Sequence, residues 1–372
     1  MRIVINTIFL QENKLESLSY FINKVFSRLA KQYPEHEFLF LVNKENDNLS
    51  ETESVIKFVV VSANPKSAFL HRHWNNIKLS MTLRSIRPDI LVQPYGCCSV
   101  LASVAQLLVV HDLGLKKYSS FIGSFYSGRI FRQLLRKAKG IVALSESCKG
   151  NIVAHYKLDP QKIDVVPGAA NDKYQPVTYA FQQGIKGHYA AGKEYFLYAG
   201  DYQLKENLVN LLKAFSQFKK WQLSNMKLLI VKNGVEWNKE VLEKLKLYKN
   251  RSEIILLNDP SEQELATITA SAYAILFPSF SGGPGVTAIE SMQCGVPVIM
   301  GETANLAEEG GGVFLYADAK RPQSIAQQML KLYKDESLRF RLIEEGKLQA
   351  LQYNWDKSAA MIWQSILKVK GH

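Results

Sequence analysis

The sequence predicts an α/β protein built from two doubly wound parallel sheets. Short apolar runs recur along the whole chain, as strands buried on both faces require. Stretches with helical spacing lie between them, so strands and helices alternate. The alternation fades over residues 172–193 and then restarts, which suits two domains in a chain of 372 residues. The expected division is an N-terminal domain at 1–171, a linker at 172–193 and a C-terminal domain at 194–354. A last helix, within 355–372, follows them.

The first domain opens with a strand at Arg2–Asn6. Asn6 breaks the apolar run and no cleavage-site pattern follows, so a strand is expected there and not a signal peptide. A loop runs through Asn13, and Leu18–Tyr33 has helical spacing. Glu37–Val42 and Ile56–Val61 read as strands, Ser67–Ile86 as one helix and Asp89–Gln93 as a buried strand. Gln106–Val110 is a strand ending abruptly at His111-Asp112. Phe125–Ala138 is helical and Gly140–Leu144 a strand. Ser145 then has the look of an N-cap, with Glu146 as a first-turn acid. Lys162–Val166 is a short strand closed by Pro167-Gly168.

The second domain begins with a strand at Tyr195–Ala199 and a helix at Asn207–Trp221. Strands at Lys227–Val231 and Glu253–Leu257 flank a helix at Glu236–Leu247. Glu262–Ala270 is helical, Val313–Leu315 is a short strand, and Gln323–Lys334, Ser337–Tyr353 and Asp356–Lys368 are helices.

Ala272–Met300 holds the most information: strand, glycine-rich loop, helix, glycine stop, strand. Ala272–Pro278 is a buried-strand run, and Ser279–Gly285 holds three glycines and a proline. Val286–Gln293 has helical spacing, and Gly295 sits where a left-handed residue would end that helix before Pro297. Such a loop offers backbone N–H groups at a helix N-terminus, where a phosphate is favoured. Glu290, just over one turn in, is a carboxylate able to accept two hydrogen bonds from a sugar diol. The plainer alternative is a βαβ unit with a glycine turn and no ligand.

Composition narrows the field. The net charge of +12 biases partners toward anions. The four cysteines show no metal-ligand spacing and read as buried thiols of a reducing compartment, which points to a cytosolic protein. No apolar run reaches the length of a spanning helix. Lys66–Arg87 and Lys116–Lys139 are basic stretches without an acid, the second interleaved with aromatic residues. They suit either an anionic membrane surface or an ordinary solvated face. No helix-turn-helix, zinc or RNA-binding signature accompanies the charge, so nucleic acid is not expected as a partner.

In their order and spacing, several segments resemble the family 4 retaining glycosyltransferases of the GT-B fold over nearly the whole chain. They are MRIVINTIFL at 1–10, VVHDLG at 109–114, IVALSES at 141–147, VVPGAAN at 165–171, YAGDYQLKENLVNLLKAF at 198–215 and FPSFSGGPGVTAIESMQCGVPVI at 277–299. The resemblance implies two Rossmann-like domains facing a cleft, with the C-terminal helix crossing back to the N-terminal domain. It implies transfer of a sugar from a UDP- or GDP-linked donor to a saccharide or lipid-linked acceptor. Retention of anomeric configuration and no required metal or other cofactor come with it. By the same carry-over Glu290 holds the ribose, and the backbone of Gly283, Gly285 and Val286 meets phosphate and sugar. His111 is the catalytic candidate beside the transferred sugar. Gly200, Lys205 and Asn207 fall in the donor-phosphate segment.

The chain departs from the family pattern at three places. Gly282 stands where the signature has its first glutamate, Asp201 and Glu206 stand where the family has basic residues, and Leu15-Glu16-Ser17-Leu18 replaces a glycine loop. Lys205 and Lys232 are candidate replacement cations. These departures keep a second function open: a degenerate relative that binds a nucleotide and serves as a partner subunit. An epimerase or phosphorylase on the same fold would need further acid–base or phosphate groups that the sequence does not locate.

Overall fold

The structure is a computed structural model that describes residues 1–8, 10, 16–43, 56–61, 74–94, 98–110, 128–199, 205–232, 239–246, 248–277, 285–302 and 312–371. At 16–17, 128–130, 205–207, 239–241 and 244 only the backbone is described. The chain divides into two units, Met1–Gly168 with Asn354–His372, and Ala169–Tyr353.

In the first unit the described strands are β1 (Arg2–Asn6), β2 (Glu37–Val42), β3 (Lys57–Val60), β4 (Ile90–Gln93), β5 (Ala105–Val110), β6 (Gly140–Ala143) and β7 (Ile163–Val165). They form one parallel sheet in the order β3-β2-β1-β4-β5-β6-β7. β1 pairs on one side with β2 (Ile3 opposite Phe38) and on the other with β4 (Ile3 opposite Ile90). The chain direction across the sheet reverses there, and a crevice opens at such a point. Ile3–Ile5, Leu91, Leu107–Val109 and Val142 are fully or almost fully buried, because helices cover both faces. Helices α1 (Glu16–Gln32), α2 (Leu79–Ile86), α3 (Gly128–Lys137) and α4 (Glu146–Tyr156) belong to this unit. The single helix expected over Ser67–Ile86 is a π-helical turn, Trp74–Lys78, running into α2, and 67–73 lie outside the described residues. Ser145 caps α4, its side chain accepting from the Cys148 N–H at 3.0 Å.

The second unit contains β8 (Tyr195–Tyr198), β9 (Lys227–Lys232), β10 (Ile254–Asn258), β11 (Ala274–Phe277), β12 (Val298–Gly301) and β13 (Leu315–Ala317), all parallel in the order β10-β9-β8-β11-β12-β13. Its helices are α5 (Tyr179–Ala190), α6 (Lys205–Trp221), α7 (Lys239–Lys246), α8 (Glu262–Ala270), α9 (Gly285–Gln293), α10 (Pro322–Lys334) and α11 (Glu336–Ala350). Two buried clusters, one on each face of the sheet, make its core. The direction of winding reverses between β8 and β11.

Two expectations need correction. Residues 172–193 are not an unstructured linker: α5 occupies 179–190, capped by Thr178, and its Ala190 is buried in the second unit's core with Ala170 and Tyr174. The last strand is Leu315–Ala317 and not Val313–Leu315, because pairing with β12 sets Ile299 opposite Leu315 and Gly301 opposite Ala317.

The final helix, α12 (Trp355–Gly371), packs on the first unit. Trp355 meets Tyr20 and Phe21 edge-on at 5.6 and 6.0 Å, and Trp363 stacks on Tyr33 at 4.3 Å and His36 at 5.1 Å. Ser365 Oγ donates to Asp164 Oδ2 at 2.7 Å, and Lys368 pairs with the other oxygen at 2.6 Å. α12 lies so close to β6 that a Cβ on Gly140 would stand 2.7 Å from Val369 Cγ2.

Candidate functional site

β11 brings the chain to the carboxyl edge of the second sheet at Phe277, and α9 leaves from Gly285. Gly285 has φ +59, a left-handed backbone that lets the chain turn into the helix. Val286 follows, partly exposed. α9 ends as its glycine requires. Gly295 has φ +71, its N–H bonds Met292 O at 3.0 Å, and the Val296 N–H bonds Ser291 O at 2.9 Å. This pair of bonds is a Schellman stop.

Glu290 sits mid-helix and is 9% exposed. The segment 169–174 lies against it, and the Asn171 backbone N–H addresses its carboxyl group. Gln293 Nε2 donates to Tyr174 O at 2.8 Å and holds that segment to α9. Burial pushes the Glu290 carboxyl up to about 8; the Asn171 N–H opposes the rise and the Glu262 carboxylate adds to it. The sequence suggests an ionised diol acceptor, whereas the ligand-free acid is largely protonated at pH 7 and both donates and accepts. Burial likewise raises Tyr174, and raises the Cys294 thiol to about 12.

Lys232 ends β9, and its Nζ pairs with Asp259 Oδ2 at 3.2 Å. Lys205 and Asn207 stand in the first turn of α6, which follows β8, with only their backbone described. His111, Gly200, Asp201, Gly282 and Gly283 lie outside the described residues. β9, β8 and β11 are neighbours in a parallel sheet, so Lys232, the start of α6 and the start of α9 all follow from its carboxyl edge. The structure thus carries Gly285, Val286 and Glu290 on one helix, with Lys232 and the start of α6 following from adjoining strands. Sequence reasoning missed Asn171, Lys173 and Glu262. VVPGAAN drew notice only as one of the family-like segments, and nothing local ties Asn171 to Glu262, 91 residues away.

Comparison with known proteins agrees with this geometry. A family model described as Glycosyltransferase Family 4 matches residues 22–173, and one described as Glycosyl transferases group 1 matches residues 185–349. O-antigen chain mannosyltransferase B of Escherichia coli is 26% identical over 234 residues, covering 62% of this chain and 61% of that protein. The chain thus aligns with about three fifths of that relative's length. A glycosyltransferase from Rickettsia africae superposes with TM-score 0.77 at 15% identity, over 99% of this chain and 98% of that one. Anabaena HepE, solved in complex with UDP and glucose, superposes with TM-score 0.75 at 12% identity, over 98% of this chain and 99% of that one. Two parallel-sheet units of GT-B type and two family models in tandem lead to one conclusion: the chain belongs to the family 4, group 1 glycosyltransferases.

Proposed function

We propose that the protein transfers a hexosyl unit from a UDP- or GDP-linked sugar to a saccharide or lipid-linked acceptor, with retention, in synthesis of a surface polysaccharide or glycolipid. The observation that carries this reading is the convergence of the α6 start, the α9 start and Glu290 at the carboxyl edge around the β8/β11 switch point. Ligands of open α/β sheets bind there. Negative charge grows on the departing diphosphate, and the first N–H groups of a helix stabilise it without reorganising. Glu290 takes the ribose diol, and His111, following β5, touches the transferred sugar. The mannosyl chemistry in the E. coli relative's name supports a hexosyl donor.

Calorimetry with UDP and GDP, followed by transfer assays with their common sugars, tests the reading. One diphosphate should bind, and its sugar should turn over. Folded protein that binds neither overturns it. Binding without turnover would favour the partner-subunit reading that Gly282, Asp201 and Glu206 motivate.

The acceptor side of the reading includes an anionic membrane surface. On the first unit Ile77, Met81, Val100 and Leu101 are exposed, and Lys78, Arg84, Arg136 and Lys137 are exposed near them. The pieces adjoin: Val100 N–H donates to Asn76 Oδ1 at 2.7 Å, and Lys137 Nζ donates to Val100 O. Apolar side chains ringed by cations suit the boundary of an anionic bilayer. Among the described residues no helix is long and apolar enough to cross a membrane. The protein is expected to pellet with anionic liposomes at low salt; equal recovery with neutral and anionic vesicles would remove this part of the proposal.

A further inference from the structure

Glu290 lies beside the segment 169–174, which is held by its own set of hydrogen bonds. The Asn171 backbone N–H addresses its carboxyl group. The Asn171 side chain is held at both ends: Oδ1 accepts from the Lys173 N–H at 3.1 Å, and Nδ2 donates to Glu262 Oε1. Lys173 Nζ donates to the other Glu262 oxygen. Asn171 is buried, and Glu262 is fixed in the first turn of α8 behind the Ser261 cap. Turning the Asn171 N–H away from Glu290 would therefore strain two further hydrogen bonds, one of them to a carboxylate.

We propose that Asn171, clamped by Glu262 and Lys173, is a positioning residue that fixes how Glu290 presents its oxygens to the ribose diol. This rests on the reading of Glu290 given above. The clamp has an electrostatic side. The Asn171 N–H favours ionised Glu290, and the Glu262 carboxylate disfavours it. Lys173 faces Glu262 and neutralises part of that repulsion. Tyr174 from the same segment and Cys294 just beyond α9 also face Glu290, and burial keeps both neutral near pH 7.

The two neighbours should consequently move Glu290 in opposite directions, a response that mere structural support would not give. Carbon-13 NMR of glutamate carboxyls, with the Glu290 signal assigned through Glu290→Gln, reads its titration in ligand-free protein. Glu262→Gln keeps an acceptor for Asn171 and removes the repulsion; the Glu290 midpoint should fall by about one pH unit. Asn171→Ala releases the clamp; the midpoint should rise, and affinity for UDP or GDP, whichever the native protein binds, should weaken about tenfold at pH 7. Circular dichroism monitors folding in each case. Midpoints that shift together, or not at all, in two folded variants overturn the proposal. Opposite shifts in a protein that binds neither nucleotide would keep the positioning of Glu290 and remove the ribose reading.

Discussion

At the scale of single residues, Glu290 carries the strongest consequence. Its carboxyl is raised above the ordinary value to about 8 by burial. Below the ordinary carboxyl range it is neutral in folded and unfolded chains alike and has no effect on stability. Between that range and about pH 8 the unfolded chain ionises while the folded one holds its proton, so stability falls as pH rises. Glu290→Gln has no charge to bury. It should melt close to the native protein at about pH 4 and at least about 2 °C above it at pH 9. A pH-independent offset between the melting curves would show that Glu290 ionises without hindrance. Glu290 was legible as a candidate in the sequence because its offset from a glycine loop is local. Asn171 and Glu262 were not, since the bonds that give them meaning close over a whole βα segment pattern and leave no periodic trace.

Elements were legible where hydrophobic period and cap agreed, and hidden where they conflicted. α8 emerges at the bounds its sequence suggests because Ser261 and Glu264 form a reciprocal capping box. α5 was hidden by two glycines, Gly184 and Gly187, inside a twelve-residue run. A Cβ at either position would meet nothing within 4 Å, so no packing reason holds glycine there. Gly184→Ala and Gly187→Ala should each stabilise the second unit by about 0.5–1 kcal/mol, read from chemical denaturation. Gly295→Ala should do the opposite. It combines a left-handed backbone with a Cβ 2.8 Å from Lys347 Cε, and about 1 kcal/mol or more should be lost. The π-helical turn before α2 had no sequence signal.

At the scale of the whole molecule, the two-sheet plan was readable from alternation alone. The ownership of the last helix came from resemblance, since its partners lie far back in the chain: Asp164 is 201 residues before Ser365, and Arg28 is 328 residues before Asp356 and 2.8 Å distant. α12 seals β5 and β6 and abuts α1. A chain ending at Tyr353 should therefore lose hydrogen-exchange protection across β4–β6 while β8–β12 keep theirs. Uniform protection in both units would mean that α12 is dispensable. Gly140→Ala should reproduce a milder form of the same defect, since its Cβ would push on Val369.

The place of α12 in the chain also sets an order on biogenesis. A ribosome delivers the whole of Ala169–Tyr353 after the first sheet and before the helix that covers it. The nascent polypeptide thus carries β5 and β6 partly uncovered through that interval, a natural client for holdases, while the later-made unit is free to mature first.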